Sequence, residues 1–197
     1  MARRQASTDP RAVRTREALL SATVDLLATQ PAHELSVTSI VRAAGVSRQV
    51  FYEHFTDRDA VVLAAGREMF EPAYREFADS FDSGSSYPDQ VAKLFGRLAE
   101  HEGAVRNLLD SPAQGKLNQI VQDLLLAPIR TELAEHLAAA NVQVDDAKLE
   151  DTAIFLAAGT QGVFSRGFEE RVPAEEIARR IEGVRRTLGA YAMGTAD

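Results

Sequence analysis

The densest group of residues able to do recognition chemistry lies between Leu35 and Asp59. Ser36 can cap a helix running through Ile40 and Val41 to Ala44, and Gly45 can end it in the left-handed conformation. Val46 is apolar and suits the inside of a tight corner, and Ser47 can then cap a second, short helix. In that helix Phe51 and Phe55 stand at i and i+4 and point inward, which turns Arg48, Gln49, Tyr52 and Val50 outward. A helix, a three-residue turn containing glycine and a second capped helix form a helix-turn-helix, which presents one helix end to the major groove of DNA. Enzyme chemistry has no comparable signature. There is no His-Glu-x-x-His, phosphate loop or glycine-rich dinucleotide turn, and His33, His54, His101 and His136 lack ligand spacing. The chain has no cysteine, which excludes disulfides, thiolate zinc sites and a cysteine nucleophile. No catalytic residue, metal or cofactor is expected.

The elements that must position this group read as helices. Leu20, Val24 and Leu27 recur at i, i+4 and i+7, with Leu19 and Leu26 beside them, and alternating β-branched runs of strand length are missing. Breaks at Pro31, Gly45, Thr56-Asp57, Ser83 to Pro88, Ser111-Pro112, Asn141 to Asp145 and Val172-Pro173 leave helix-sized segments, so the fold class is all-α. Pro72 and Pro128 fall inside helical patterns and are expected to kink or end them. At 197 residues and 45% hydrophobic composition the chain can bury a proper core. Its longest uncharged stretch, between Asp151 and Arg166, holds 14 residues, short of the roughly 20 a membrane-spanning helix needs. Glu17 and Asp25 interrupt the only apolar run near the N-terminus, which points to a cytoplasmic protein rather than a secreted one.

Charge is uneven. The net charge is −7, yet residues 1–60 hold eight arginines against seven acids, and the remainder 14 basic against 22 acidic residues. Arg3, Arg4, Arg11, Arg14 and Arg16 crowd the first 16 residues, as a solvated tail would or as an arm tracking a phosphate backbone would. Overall acidity argues against blanket coating of nucleic acid and leaves room for a local DNA site.

The run Ile40-Val-Arg-Ala-Ala-Gly-Val-Ser47, followed by Phe51-Tyr52-Glu53-His54-Phe55 and Thr56-Asp57-Arg58, resembles the tetracycline-repressor (TetR/AcrR) family of bacterial regulators. The match is detailed over about residues 14–65 and extends in outline to an all-helical remainder. The resemblance implies a flexible arginine-rich arm at 1–13, a helix-turn-helix DNA-binding domain at 14–60, and a helical effector-binding and dimerisation domain at 61–197. It makes Ser47–His54 the recognition helix, with Arg48 and Gln49 at base edges, where arginine suits guanine and glutamine adenine, and Val50 near a thymine methyl. Tyr52, His54 and Arg58 fall at phosphate-contacting positions, Thr38 is a further contact, and the helix starts at Ser36 and Ser47 favour phosphate. Three departures stand out: Val41 where relatives carry alanine, Pro31-Ala32 where a glycine and an aromatic close the first helix, and Arg58 where lysine is usual.

In the remainder, Leu149 to Phe164 is apolar on nearly every face, and Ile177, Ile181, Val184, Leu188 and Tyr191 form a heptad-like stripe. Gly159, Gly162 and Gly167 would permit close backbone approach. On pattern alone this is either internal core or an interface; the resemblance implies that the last two helices pair with their copies, through Leu156, Gly159, Val163, Ile177, Ile181, Val184 and Leu188. Phe70, Tyr74, Phe77 and Phe81 form an aromatic stripe that suits a core or a pocket. If a pocket, its walls would include Phe70, Tyr74, Phe77, Phe95, Leu98, His101, Leu108, Leu117, Ile120, Val121 and Phe155, and the scarcity of lysine there would favour an apolar or neutral effector. The expected protein is a homodimeric repressor released from a roughly palindromic operator by a small molecule, the helix after Asp57 being the lever. The rival is a helical carrier or interaction protein that does not read DNA sequence.

Overall fold

The computed structural model describes residues 9–80 and 87–194, and among them the regular elements are helices only. These are α1 (Pro10–Leu27), α2 (Val37–Ala44), α3 (Arg48–His54), α4 (Arg58–Asp79), α5 (Tyr87–Ala99), α6 (Glu102–Leu109), α7 (Gln114–Ala139), α8 (Asp146–Glu169) and α9 (Ala174–Gly194), with a 3-10 turn at Ala32–Glu34. The arginines at 3 and 4, Phe81, and the side chain of Tyr191 lie outside the described residues. No helix among them is long and apolar enough to cross a membrane.

Two compact units result. One holds the residues up to Met69 together with His101–Leu117; the other holds Phe70–Glu100 and the residues from Asn118 onward. The chain passes between them within α4, between α5 and α6, and within α7. A boundary at residue 60 would therefore fall inside α4, and the unit containing the short helices also takes in α6. Likewise α1 reaches back to Pro10, inside the stretch expected as an arm, because Asp9 caps it by accepting from the Arg11 amide at 2.9 Å and proline suits the first helical position.

In the first unit, Leu19, Leu27, Ile40, Phe51, Val61, Val105 and Leu108 are buried to 0% exposure. Each such side chain contributes about 1.5–3 kcal/mol of apolar burial. α1 packs on α2 and α6, and α2 on α3. The Asn107 side-chain amide donates to the Leu27 carbonyl at 2.8 Å, giving an otherwise open carbonyl at the end of α1 a partner. The Arg16 guanidinium sits 4.7 Å from the centre of the Phe55 ring, fastening α1 to the end of α3.

In the second unit the aromatic rings converge. Tyr74, Phe77 and Phe95 meet Phe164 with ring centres 6.2, 6.0 and 5.3 Å away, so α4, α5 and α8 share one aromatic core. α9 packs on α5 and α8, with Gly167 facing Ile177 so closely that a Cβ there would lie 2.6 Å from its Cδ1. Glu132 on α7 accepts two hydrogen bonds from the Arg185 guanidinium on α9, at 2.9 and 2.5 Å.

Neither proline ends its helix. Pro72 sits inside α4 and Pro128 inside α7. Each is exposed or half-buried, while Phe70, Ala73, Leu125 and Ile129 beside them are buried, so packing of the neighbouring turns outweighs the missing amide. Gly96 on α5 presents the opposite opportunity: it is exposed, and a Cβ there would meet nothing within 4 Å. Gly96→Ala is expected to stabilise the protein by about 0.5–1 kcal/mol through the unfolded state and helix propensity. A urea midpoint that stays put or falls would contradict this.

Candidate nucleic-acid interface

The corner between α2 and α3 is built from local hydrogen bonds. Ser36 Oγ accepts from the Ser39 amide at 3.0 Å, and Ser39 Oγ accepts in return from the Ser36 amide, a reciprocal capping box. Gly45 ends α2 at φ 66°, the left-handed region that glycine enters without Cβ strain. Its N–H donates to the Arg42 carbonyl, and the next N–H, of Val46, donates to that of Val41. Ser47 then caps α3, its Oγ accepting from the Val50 amide at 3.2 Å. Both serine hydroxyls are thus engaged in capping.

α3 has seven residues, and Phe51 is its inward anchor, with ring centres 5.3 Å from Tyr52 and 5.8 Å from Phe55. Arg48, Gln49, Tyr52 and Glu53 are exposed, and Val50 and His54 are half-buried. Thr38 is exposed on the first turn of α2. Of the residues expected at DNA, then, Arg48, Gln49, Tyr52, His54 and Val50 share one short helix, and Thr38 presents its side chain from the helix before it.

Arg58 is different. Its Nη1 donates to the His33 carbonyl at 3.1 Å, and its Nε and Nη2 meet Asp59 Oδ1 at 2.8 and 2.7 Å. The guanidinium therefore ties the 3-10 turn to the start of α4, a task that a lysine ammonium could not perform with the same forked geometry. Beside it, Asp57 Oδ1 accepts from the Ala60 amide at 2.8 Å. That backbone bond, helped by the Thr56 hydroxyl, holds the Asp57 carboxyl below its ordinary value.

The residues expected to wall a pocket separate. Phe70, Tyr74, Phe77, Phe95, Leu98 and Val121 are buried in the second unit, Ile120 is half-buried there, and Phe155 is 65% exposed. Leu108 and Leu117 are buried in the first unit, where His101 is exposed. A cleft of about 220 Å³ does open between the end of α4 and α5, lined by Phe77 but otherwise largely by Glu76, Asp79, Lys93 and Arg97 among others. Along the stripe on α9, which packs on α5 and α8, Ile177 and Ile181 are buried within the single chain, Val184 is 46% exposed and Leu188 is half-buried. On α8, Ile154, Gly159 and Gly162 are exposed, and Leu156 and Val163 half-buried.

Sequence reasoning missed two features of the site: the Arg16–Phe55 contact, which no local spacing signals, and a hydrogen bond from Arg48 to Tyr52, which their i, i+4 spacing did offer.

Comparison with known proteins agrees with this geometry. Residues 19–65 match the family model described as bacterial regulatory proteins, tetR family. A tetR-family transcriptional regulator from Streptomyces coelicolor aligns with a TM-score of 0.60 at 20% identity, over 91% of this chain and 85% of that one. The TetR family repressor AlkX of Dietzia sp. strain DQ12-45-1b, implicated in biodegradation of n-alkanes, aligns at 0.56 and 15% identity, over 91% and 98%. The fatty acid degradation regulator FadR of Bacillus halodurans aligns at 0.60 and 14%, over 90% and 95%. At such identities the likeness establishes the fold. No curated protein matches the sequence.

Proposed function

Through residues 19–65 the chain belongs to the tetR family of bacterial regulatory proteins, and from that premise we propose that it is a homodimeric repressor which leaves a roughly palindromic operator when a small molecule binds. The chain is a DNA-binding transcriptional regulator by family. The observation that carries the finer reading is the exposure of Arg48 and Gln49 on the first turn of a capped helix whose Phe51 is fully buried. Both side chains have planar hydrogen-bonding edges that match purines in the major groove: Arg48 can donate twice to guanine O6 and N7, and Gln49 can donate to adenine N7 while accepting from its N6 amino group.

A dimer is supported by apolar surface that one chain leaves uncovered on the second unit. Ile154 and Phe155 are 49% and 65% exposed, and Phe155, Gly159 and Gly162 follow at i, i+4, i+7 along one face of α8, with open space beyond both glycines. A twofold partner on that face would give the assembly two copies of α3, and hence an operator of two related half-sites. An apolar or uncharged effector suits the aromatic lining, and its entry would have to separate rings now packed on Phe164. α4 is shared by both units and is the proposed lever. An effector favouring the DNA-incompetent arrangement by about 1–3 kcal/mol would lower affinity 5- to 150-fold.

The test is selection from a random duplex pool with the full chain, followed by titration of the winner. A palindromic winner is expected, and Arg48→Ala should then cost about 1–3 kcal/mol and relax one position per half-site. If no sequence is enriched and Arg48→Ala matches the parent, the carrier reading prevails.

A further inference from the structure

Arg48 and Tyr52 stand one turn apart on α3, and the structure joins them. Arg48 Nη2 donates to the Tyr52 hydroxyl at 3.3 Å, and the guanidinium carbon lies 5.8 Å from the centre of the Tyr52 ring, within cation–π reach. Tyr52 is itself held, because its ring meets the buried Phe51 ring edge to face at 90°. No carboxylate among the described residues forms an ion pair with Arg48. We infer that Tyr52 is a positioning residue for base recognition: it holds the Arg48 guanidinium along the exposed face of α3, so that base preference at the position Arg48 reads depends on both side chains.

The inference rests on the proposed DNA-reading function and deepens it. A long arginine side chain loses rotamer freedom when it docks, and holding it beforehand removes part of that loss. The chemistry leaves room for both tasks. A guanidinium has five N–H donors, so the bond to Tyr52 spares the two that guanine O6 and N7 require. The tyrosine oxygen accepts from Arg48, which leaves its own O–H free to donate to a phosphate oxygen. Backbone, tyrosine, arginine and base would then form one chain of hydrogen bonds, in which each contact aligns the next.

A phosphate contact alone predicts something different, and the two can be separated with the full-length protein. The duplex selected by the parent is compared with one altered at the position where Arg48→Ala relaxes preference. The parent, Tyr52→Phe, Arg48→Ala and the double variant are titrated on both, with melting curves showing that each is folded. Arg48→Ala should remove roughly tenfold to a hundredfold of discrimination. Tyr52→Phe keeps the ring and loses the acceptor; it should narrow the ratio between the two duplexes by about threefold to tenfold. In the Arg48→Ala background it should narrow the ratio no further. If Tyr52→Phe weakens both duplexes by the same factor, the inference is wrong and Tyr52 serves the backbone only. If the parent enriches no duplex at all, the DNA-reading function fails, and this inference fails with it.

Discussion

Replacing Phe51 with alanine is expected to cost about 3–5 kcal/mol and to abolish selective duplex binding. α3 has only seven residues, far below the length at which a helix stands alone in water. Its order therefore comes from packing, and Phe51 is its one fully buried side chain. The ring supports Tyr52 on one side and Phe55 on the other, and Phe55 in turn lies beneath the Arg16 guanidinium. Truncation leaves a cavity under the helix that carries Arg48 and Gln49. Against a total stability of about 5–15 kcal/mol, a loss of that size is a large fraction of what keeps the chain folded. Phe51→Leu fills much of the volume and should cost less than about 1.5 kcal/mol, with binding retained. Urea titration followed by circular dichroism measures both. A loss below about 1 kcal/mol for the alanine variant would mean that α3 is held by something other than its anchor.

What the sequence made legible is what depends on neighbours three or four positions away. Ser36, Gly45 and Ser47 punctuate the chain through bonds that close within one turn, so residue type alone announces them. Phe51 and Phe55 announce the inward face in the same way, and with it the outward one. Contacts between distant segments leave no such mark. Asn107 reaches the Leu27 carbonyl across 80 positions, and nothing around residue 107 signals that α6 belongs with the short N-terminal helices. The stripe on α9 shows a second limit. Periodicity identified Ile177, Ile181, Val184 and Leu188 as one face, but the chain itself covers the first pair and leaves Val184 exposed. Similarly, an aromatic stripe reads alike whether its rings wall a cavity or close on Phe164. The motif places Arg58 at a phosphate, and its ion pair with the adjacent Asp59 is local, but its bond to the His33 carbonyl depends on how a turn 25 positions away folds back.

The tightest of these long-range contacts makes the same kind of substitution change sign between two helices. At Gly103, in the first turn of α6, a Cβ would lie 2.5 Å from the Ala28 carbonyl oxygen and 3.3 Å from its carbon. The obstacle is backbone at the end of α1, which cannot rotate aside as a side chain can. At Gly66 the closest obstacle is the tip of the Leu117 side chain, at 2.6 Å, and at Gly96 there is none. Gly103→Val is therefore expected to cost about 3 kcal/mol, at the upper end of overpacking penalties, and Gly103→Ala about 1 kcal/mol. Both would push α6 away from α1 and lengthen the 2.8 Å bond from Asn107 to Leu27. Gly96→Ala, chemically the same step on α5, should stabilise, because there the helix-propensity gain meets no clash. Midpoints for the three variants, measured side by side, decide the matter. If Gly103→Ala stabilised the chain as Gly96→Ala does, α6 would not be seated against α1, and Gly103 would be a replaceable helix residue.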